Sequence, residues 1–169
     1  TVTMPASATG NFTATSVSGD IIDTGLANLR IGGTVAAVGS GVVTLNATAG
    51  NIVIDDPTTE FATTGGVVFN ANNVTLAPLG SVALVLGSAA APAIATGNLT
   101  VTTALPTGII QSAGSVQAGG DASFQAASAN IALTGAANKF GTVRFVGQAV
   151  SLIESDDTAI VTGSTALQS

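Results

Sequence analysis

The strongest constraint on the fold is an internal repetition. The segment 51–87 recurs as the segment 130–163, with its apolar positions in register and asparagine at both starts. Phe61 and Phe140 stand at the same distance from these two asparagines. A chain that repeats itself with apolar positions in register is built by stacking similar units. The repetition therefore predicts a repeat architecture.

The composition narrows the choice of repeat. The chain has 169 residues, enough for one domain with a sizeable core, and 46% of them are hydrophobic, which argues against disorder. Only 7% are charged, against about 25% in typical globular proteins. The most apolar run, residues 81–95, is interrupted by Gly87 and Pro92 and lacks flanking Lys or Arg, so we do not expect a membrane-spanning helix.

The charge balance bears on partners and on compartment. The formal net charge is −6 with only three basic residues, so we expect no nucleic-acid partner. Cysteine is absent, which suits export without disulfides. The sequence starts at Thr1 without a basic, apolar leader, and we expect either a mature polypeptide or a piece of a longer one.

Short apolar runs predict strands rather than helices. The runs are three to five residues long, rich in β-branched side chains and bounded by Gly, Asn, Asp or Ser. In the second half, every third run falls on one line, and the recurrence is roughly 20 to 24 residues. Two such lines are Leu99, Ala122, Val143 and Ile109, Ile131, Val150. This spacing predicts an all-β chain folded as a single parallel β-helix (β-solenoid) of about eight coils (rungs), with three short strands per coil.

The coils are predicted to form larger units. Matches of residues 97–102 with residues 10–15 divide one domain, 1–169, into two copies of a four-coil unit, about 10–96 and 97–169. The first copy carries extra residues near Val38 to Val43.

Stacking also explains the residue types. Inward positions of successive coils lie about 4.8 Å apart, so Val, Ile, Leu and Ala stack on one another, while Thr and Ser suit outward positions. The six phenylalanines are expected to stack in the core rather than form a ligand pocket. Gly-Asn pairs beginning at 10, 50 and 97 are expected at corners, where a positive φ is often required.

Four stretches carry a family resemblance: 119–124, 130–133, 137–141 and 143–152. With them, the chain resembles the repeat region of filamentous-haemagglutinin-like exoproteins and large autotransporter-type adhesins of Gram-negative bacteria. The likeness covers 97–163 well and 10–87 loosely. It implies a long right-handed β-helix that is secreted through the outer membrane and holds an adhesive domain away from the cell. The family's amino-terminal secretion domain, with its Asn-Pro-Asn motifs, has no counterpart in this sequence. The resemblance therefore implies a segment of the β-helical shaft.

Acidic clusters are the first candidates for a site. Clustered carboxylates in corner loops are weak candidates for calcium; they are Asp55, Asp56, Glu60, Asp156 and Asp157. The glycine-rich nonapeptide of calcium-loaded β-rolls is absent, and the two clusters do not align with each other in the repeat. We therefore expect solvated turns, with no metal or cofactor.

Enzyme chemistry has little support in the sequence. His, Tyr, Trp and Cys are all absent, which removes the usual bases, the sugar-stacking rings and one class of nucleophile. Asp55 with Glu60 is the best pair available for glycoside hydrolysis, which needs two carboxylates across a groove. We expect no catalytic residues and no enzyme.

Asn-x-Thr sequons occur four times and are weak candidates for glycosylation; they begin at Asn11, Asn46, Asn73 and Asn98. An asparagine at a corner, followed by an outward-facing threonine in the next strand, gives the same Asn-x-Thr pattern. The sequence favours this second explanation.

Two functional hypotheses remain. The first is a non-catalytic shaft segment of a large secreted or surface-attached bacterial adhesin, and the second is a subunit that stacks end to end into an extracellular fibre or surface layer. Neither 1–9 nor 164–169 resembles a cap, so the expected partners are flanking β-helix repeats or identical subunits at exposed terminal coils. Other domains would meet a host or neighbouring-cell surface. A polysaccharide-binding or polysaccharide-degrading β-helix is a remote third alternative.

Overall fold

The chain is all-β in the computed structural model, which describes residues 10–23, 30–31, 39–78, 82–103, 108–155 and 159–160. These residues form no helix, as the sequence predicted. The strands are β1 (Phe12–Thr15), β2 (Ile21–Ile22), β3 (Arg30–Ile31), β4 (Val43–Ala47), β5 (Ile52–Ile54), β6 (Glu60–Phe61), β7 (Val67–Ala71), β8 (Val74–Leu76), β9 (Leu84–Leu86), β10 (Ala93–Ala95), β11 (Leu99–Thr102), β12 (Ile109–Gln111), β13 (Val116–Ala126), β14 (Ile131–Leu133), β15 (Lys139–Gly147), β16 (Val150–Leu152) and β17 (Ala159–Ile160).

The strands stack in parallel into three faces. Face A contains β1, β4, β7, β10 and the first residues of β13 and β15. Face B contains β2, β5, β8, β11, the remaining residues of β13 and β15, and β17. Face C contains β9, β12, β14 and β16, while β3 and β6 pair with each other as a separate small sheet. The predicted parallel β-solenoid is confirmed.

The registers that the sequence predicted in the second half are also confirmed. On face B, Leu99 pairs with Ala122, which pairs in turn with Val143. On face C, Ile109 pairs with Ile131, and Ile131 pairs with Val150. These lines were identifiable because like side chains occupy the same inward position in successive coils.

Alternation along each strand places the core inside the coil. In β4, Val43, Leu45 and Ala47 are buried, whereas Thr44 and Asn46 are half-buried and point outward. The same alternation recurs in β5, β8, β10 and β14. The result is one continuous apolar stack along the solenoid.

The phenylalanines belong to this core, as predicted. Five of the six are buried; they are Phe61, Phe69, Phe124, Phe140 and Phe145. Phe12 is half-buried and packs against the core. Their packing gives them no role as a ligand pocket.

The coils differ in length. The first takes 31 residues from Asn11 to Val42, and the next four take 22, 25, 23 and 21 at the corner between faces A and B. The last is shorter, since Thr142 pairs with Ala159, 17 residues later. Residues 43–152 form about four turns. The described chain therefore holds fewer than the predicted eight coils, because the first coil is wider than assumed and both ends of the sequence lie outside the described residues.

The extra residues of the first coil lie earlier than predicted. Arg30 pairs with Glu60 and Gly39 bridges Thr63, so the added length falls between residues 31 and 39. Most of that stretch, 32–38, lies outside the described residues.

The positive-φ explanation of the Gly-Asn pairs is wrong. Among the described residues, positive φ occurs at other corner glycines: Gly66, Gly87, Gly108 and Gly114. At Gly66 a Cβ would also meet the carbonyl oxygen of Gly87 in the next coil. At Gly50 and Gly97 a Cβ would instead collide with atoms of the preceding coil.

The predicted two-copy division stays a prediction. Ile52 lies on face B, whereas Ile131, its match in the sequence repeat, lies on face C. The handedness of the solenoid stays a prediction as well.

Candidate functional site

The most regular polar feature is a ladder of side chains at the corner between faces A and B. We call it the corner ladder; its members are Asp20, Asn51, Asn73, Asn98 and Asp121. Asp20 Oδ1 accepts from Asn51 N and Nδ2 at 2.7 and 3.2 Å, and Asn51 Oδ1 accepts from Asn73 N and Nδ2 at 3.2 and 2.9 Å. Asn73 Oδ1 then accepts from Asn98 N at 2.9 Å, and Asn98 Oδ1 from Asp121 N at 3.0 Å. Each of the first four side chains therefore accepts from a backbone N–H of the next coil.

The corner ladder solves a local problem of the backbone. Each member comes directly before residues that pair on face B, at the corner where the chain leaves face A. A backbone N–H at such a corner needs an acceptor, from the protein or from water. A short side-chain oxygen from the preceding coil provides that partner, and Asn and Asp have the required length.

Glycine precedes most ladder residues because the ladder fills the space that a Cβ would need. A Cβ on Gly50 would lie 2.8 Å from Asp20 Oδ1, and one on Gly97 would lie 2.6 Å from Asn73 Oδ1. A Cβ on Gly120 would come closer still to Asn98 Oδ1. The Gly-Asn and Gly-Asp pairs thus record contact with the preceding coil.

Three of the four sequon asparagines lie at corners and accept hydrogen bonds from backbone N–H groups of the next coil. Asn73 and Asn98 belong to the corner ladder, and Asn11 Oδ1 accepts from Val42 N at 2.9 Å in the next coil. Asn46 differs, because its side chain points outward from the middle of face A, in register with Thr15 and Asn70. The backbone role of the first three agrees with the corner interpretation, and whether any of the four carries a glycan stays untested.

The acidic residues near β5 are organised by a buried carboxylate. Asp23 is only 7% exposed. Its Oδ1 accepts from the backbone N–H of Asp55 and Asp56 at 3.1 and 3.3 Å, and its Oδ2 accepts from Thr59 Oγ1 at 2.7 Å. The side chain of Asp55 is exposed and that of Glu60 is half-buried. Asp23 therefore shapes this corner by binding its backbone.

Asp56 closes a turn within the same corner. Its Oδ1 accepts from Thr58 N at 2.7 Å and from Thr58 Oγ1 at 2.5 Å. No group of three or more metal-ligating side chains converges within the described ranges. Asp156 and Asp157, the other calcium candidates, lie outside those ranges.

The hydrogen bonds at this turn predict a lowered pKa for the Asp56 carboxyl group. The Thr58 hydroxyl and backbone N–H hold the pKa of Asp56 below its ordinary value of 3.8. A lowered folded-state pKa means that these bonds stabilise the turn above pH 3.8 and are lost as the pH falls through the folded pKa. We expect the ¹³C shift of the Asp56 carboxyl carbon to titrate with a midpoint below 3.8.

The matched variant is Thr58→Ala, which removes the hydroxyl donor and should move the midpoint upward. A midpoint at or above 3.8 in the unaltered chain would contradict the bonding at this turn.

A second polar network is buried at the corner between faces C and A. Asn138 is fully buried, and its Oδ1 accepts from Gln111 Nε2 and Val116 N, both at 2.8 Å. Its Nδ2 donates to Gln111 Oε1 at 2.9 Å and to the carbonyls of Leu133 and Ile153 at 3.2 and 3.0 Å. These bonds connect three successive coils, so Asn138 acts as an internal clamp.

Beside this clamp lies a shallow, open groove of about 400 Å³. Its lining consists of small residues from three coils: Ser88, Ala89, Ala90, Ala91, Pro92, Gly114, Ser115, Ala136 and Ala137. None of these side chains is ionisable. The groove brings together none of the residues that the sequence singled out as candidates for chemistry.

The sequence did not single out Asp23 as a buried cap or Gln111 as a partner of Asn138. Asp23 follows the short apolar run Ile21–Ile22, a position that signals a strand end but not burial. Gln111 and Asn138 are 27 residues apart, and their pairing depends on coil lengths that no local pattern supplies.

Comparison with known proteins gives one match. Residues 71–146 match a family described as repeats of unknown function (DUF5649). The matched stretch is less than half of the chain, and it runs from the end of β7 into β15. No curated protein and no solved structure matches the chain. Within the described ranges, no helix is long and apolar enough to cross a membrane. The chain is thus a repeat β-solenoid.

Proposed function

We propose that the chain is a non-catalytic segment of the stalk of a large secreted or surface-attached bacterial adhesin. In this role the solenoid sets the distance between the cell and an adhesive domain elsewhere in the polypeptide. The observation that carries the proposal is the continuity of the parallel ladders through the coils, at the faces and at the corner alike. Each further coil adds about 4.8 Å to such a structure.

The use of the polar side chains supports a mechanical role. The corner ladder, the Asp23 cap and the Asn138 clamp all direct their oxygens to backbone N–H groups of neighbouring coils or corners. Hydrogen bonds of this kind connect one coil to the next and resist separation along the axis. The match to a repeat family over 71–146 is consistent with a segment whose unit of function is the repeat itself.

Removing one whole coil tests the proposal. Val74 pairs with Leu99, so deleting 74–98 brings Asn73 directly before Leu99 and keeps every later strand on its own face. We expect the polypeptide that contains this deletion, displayed on its own cells, to remain folded and adhesive, because a spacer tolerates the loss of about 4.8 Å.

The matched control removes part of a coil. Deleting 74–83 joins the end of a face A segment to β9, a face C strand, and misaligns all the ladders that follow. This variant should lose cooperative melting by circular dichroism together with adhesion. Loss of adhesion from the folded whole-coil deletion would contradict a spacer role, because it would place a binding function within 74–98.

A further inference from the structure

Two corner glycines of the first coil, Gly10 and Gly19, stand where no described contact requires glycine. No described atom lies within 4 Å of a Cβ built on Gly10, and the nearest to a Cβ on Gly19 is Ser16 Oγ at 3.8 Å. Neither glycine has a positive φ. Local backbone conformation and packing therefore leave the residue type at both positions unexplained.

The later coils supply the explanation. Gly41 follows Gly10 at the same corner, and a Cβ on Gly41 would lie under 3.0 Å from the backbone of Gly10. Gly65, one coil further, is covered in the same way by Gly41. Gly50 is the counterpart of Gly19, and a Cβ there would lie 2.8 Å from Asp20 Oδ1. Glycine at these corners is the mark of a preceding coil packed against it.

The apolar side chains of the first coil show the same open edge. Phe12 is half-buried, whereas its register partner Val43 is fully buried. Ile21 is 7% exposed, whereas its partner Ile52 is fully buried. A further coil stacked on this edge would bring both residues to the burial of the coils that follow.

The backbone N–H groups of the first coil also indicate an open edge. Phe12 N donates to Val42 O and Ile21 N donates to Asn51 O, both in the second coil. In a parallel ladder the neighbouring residue directs its N–H to the opposite side. The N–H groups of Thr13, Asp20 and Ile22 therefore face away from the second coil, toward the open edge.

We propose that the edge formed by β1, β2, Gly10 and Gly19 docks one further parallel coil, which carries Asn or Asp at the ladder position. The side-chain oxygen of that residue accepts from Asp20 N and packs on Gly19, as Asp20 itself does on Asn51 N and Gly50. This inference rests on the stalk function and names the neighbour at one end of the segment.

The last described coil of an identical copy fits this edge poorly. Among the described residues, the last two in line with the corner ladder are Thr142 and Ala159, and neither has an amide or carboxylate. The distance between them is 17 residues, against 31 in the first coil. We therefore assign this edge to a coil whose sequence differs from that of the last described coil.

A pair of alanine substitutions tests the open edge in the chain as it stands. Gly97→Ala places a Cβ 2.6 Å from Asn73 Oδ1 and should lower the urea midpoint by about 1 M. Gly19→Ala should leave the midpoint unchanged. The amides of Thr13 and Ile22 should exchange with deuterium at least ~100-fold faster than those of Thr44 and Val53.

If Gly19→Ala is as costly as Gly97→Ala, or if the amides of Thr13 and Ile22 are already protected, the edge is covered by this chain itself. The docking proposal is then overturned. The stalk function would be unaffected, because the whole-coil deletion tests it separately.

A grafted coil tests the occupant. A copy of residues 43–64 is placed directly before Gly10, where its Asn51 falls at the ladder position above Asp20. Exchange at Thr13, Asp20 and Ile22 should slow by about 100-fold, and Gly19→Ala should now lower the urea midpoint. With Asn51→Ala in the grafted copy alone, protection should persist at Thr13 and fall about 10-fold at Asp20. Unchanged exchange at all three amides in the grafted chain would refute the docking.

Discussion

Replacing Phe124 with alanine is expected to lower the free energy of unfolding by about 3–5 kcal/mol. Phe124 is fully buried. Its ring stacks on Phe145 and meets the edge of Phe140, with centroid distances of 5.6 Å in both cases. The substitution leaves a cavity between two coils whose longest strands, β13 and β15, cannot collapse into it without breaking their register.

Urea denaturation followed by circular dichroism measures this loss. The matched control is Phe12→Ala, which removes the same ring from a half-buried position in the first coil and should cost about 1–2 kcal/mol. Equal losses at Phe12 and Phe124 would contradict the idea that the aromatic cluster is a main contributor to core stability.

Replacing Asn138 with alanine is expected to cost about 3 kcal/mol. The change leaves Val116 N without its side-chain acceptor and removes the donor of Leu133 O and Ile153 O from that amide. The Gln111 amide loses both of its bonds to Asn138 but keeps those to Gly114 O and Gly135 N. Unpartnered buried groups carry their full desolvation cost, so the loss exceeds that of an ordinary hydrogen bond.

Asn130→Ala is the control for this amide, because Asn130 is an exposed asparagine in a neighbouring corner. It should change the free energy of unfolding by less than about 0.5 kcal/mol. In Asn138→Ala, backbone amides should lose protection from hydrogen exchange mainly in 133–138 and 153–155. These are the segments that the clamp joins. An Asn138→Ala variant as stable as Asn130→Ala would show that the clamp contributes nothing.

The parts of the fold that could be predicted depend on local pattern. Strands such as Ile131–Leu133 and Val150–Leu152 were recognisable, because they are short apolar runs bounded by turn residues. Their stacking partners could be found because the coils of the second half have similar lengths. The wide first coil broke that regularity, so the described residues hold fewer coils than the eight predicted for the whole chain.

The candidate sites were harder to predict, because chemistry at a corner depends on the coil before it. The sequence predicted solvated turns at Asp55 and Asp56 but not that their backbone amides bind the carboxylate of Asp23 from the preceding coil. It predicted corner positions for Asn73 and Asn98 but not the ladder of backbone caps that they extend. In each case the sequence identified the corner residue but not the group of the neighbouring coil that it contacts.

The sequence by itself determined that the chain is all-β, that its strands are short and that its interior is a stack of aliphatic and aromatic side chains. Those properties follow from alternation and spacing within a few residues. The tertiary structure alone decided which residues meet across coils, because partners lie 17 to 31 residues apart and each corner length shifts the register. It also decided why glycine stands at a corner, since the side chain or backbone that excludes a Cβ comes from a neighbouring coil.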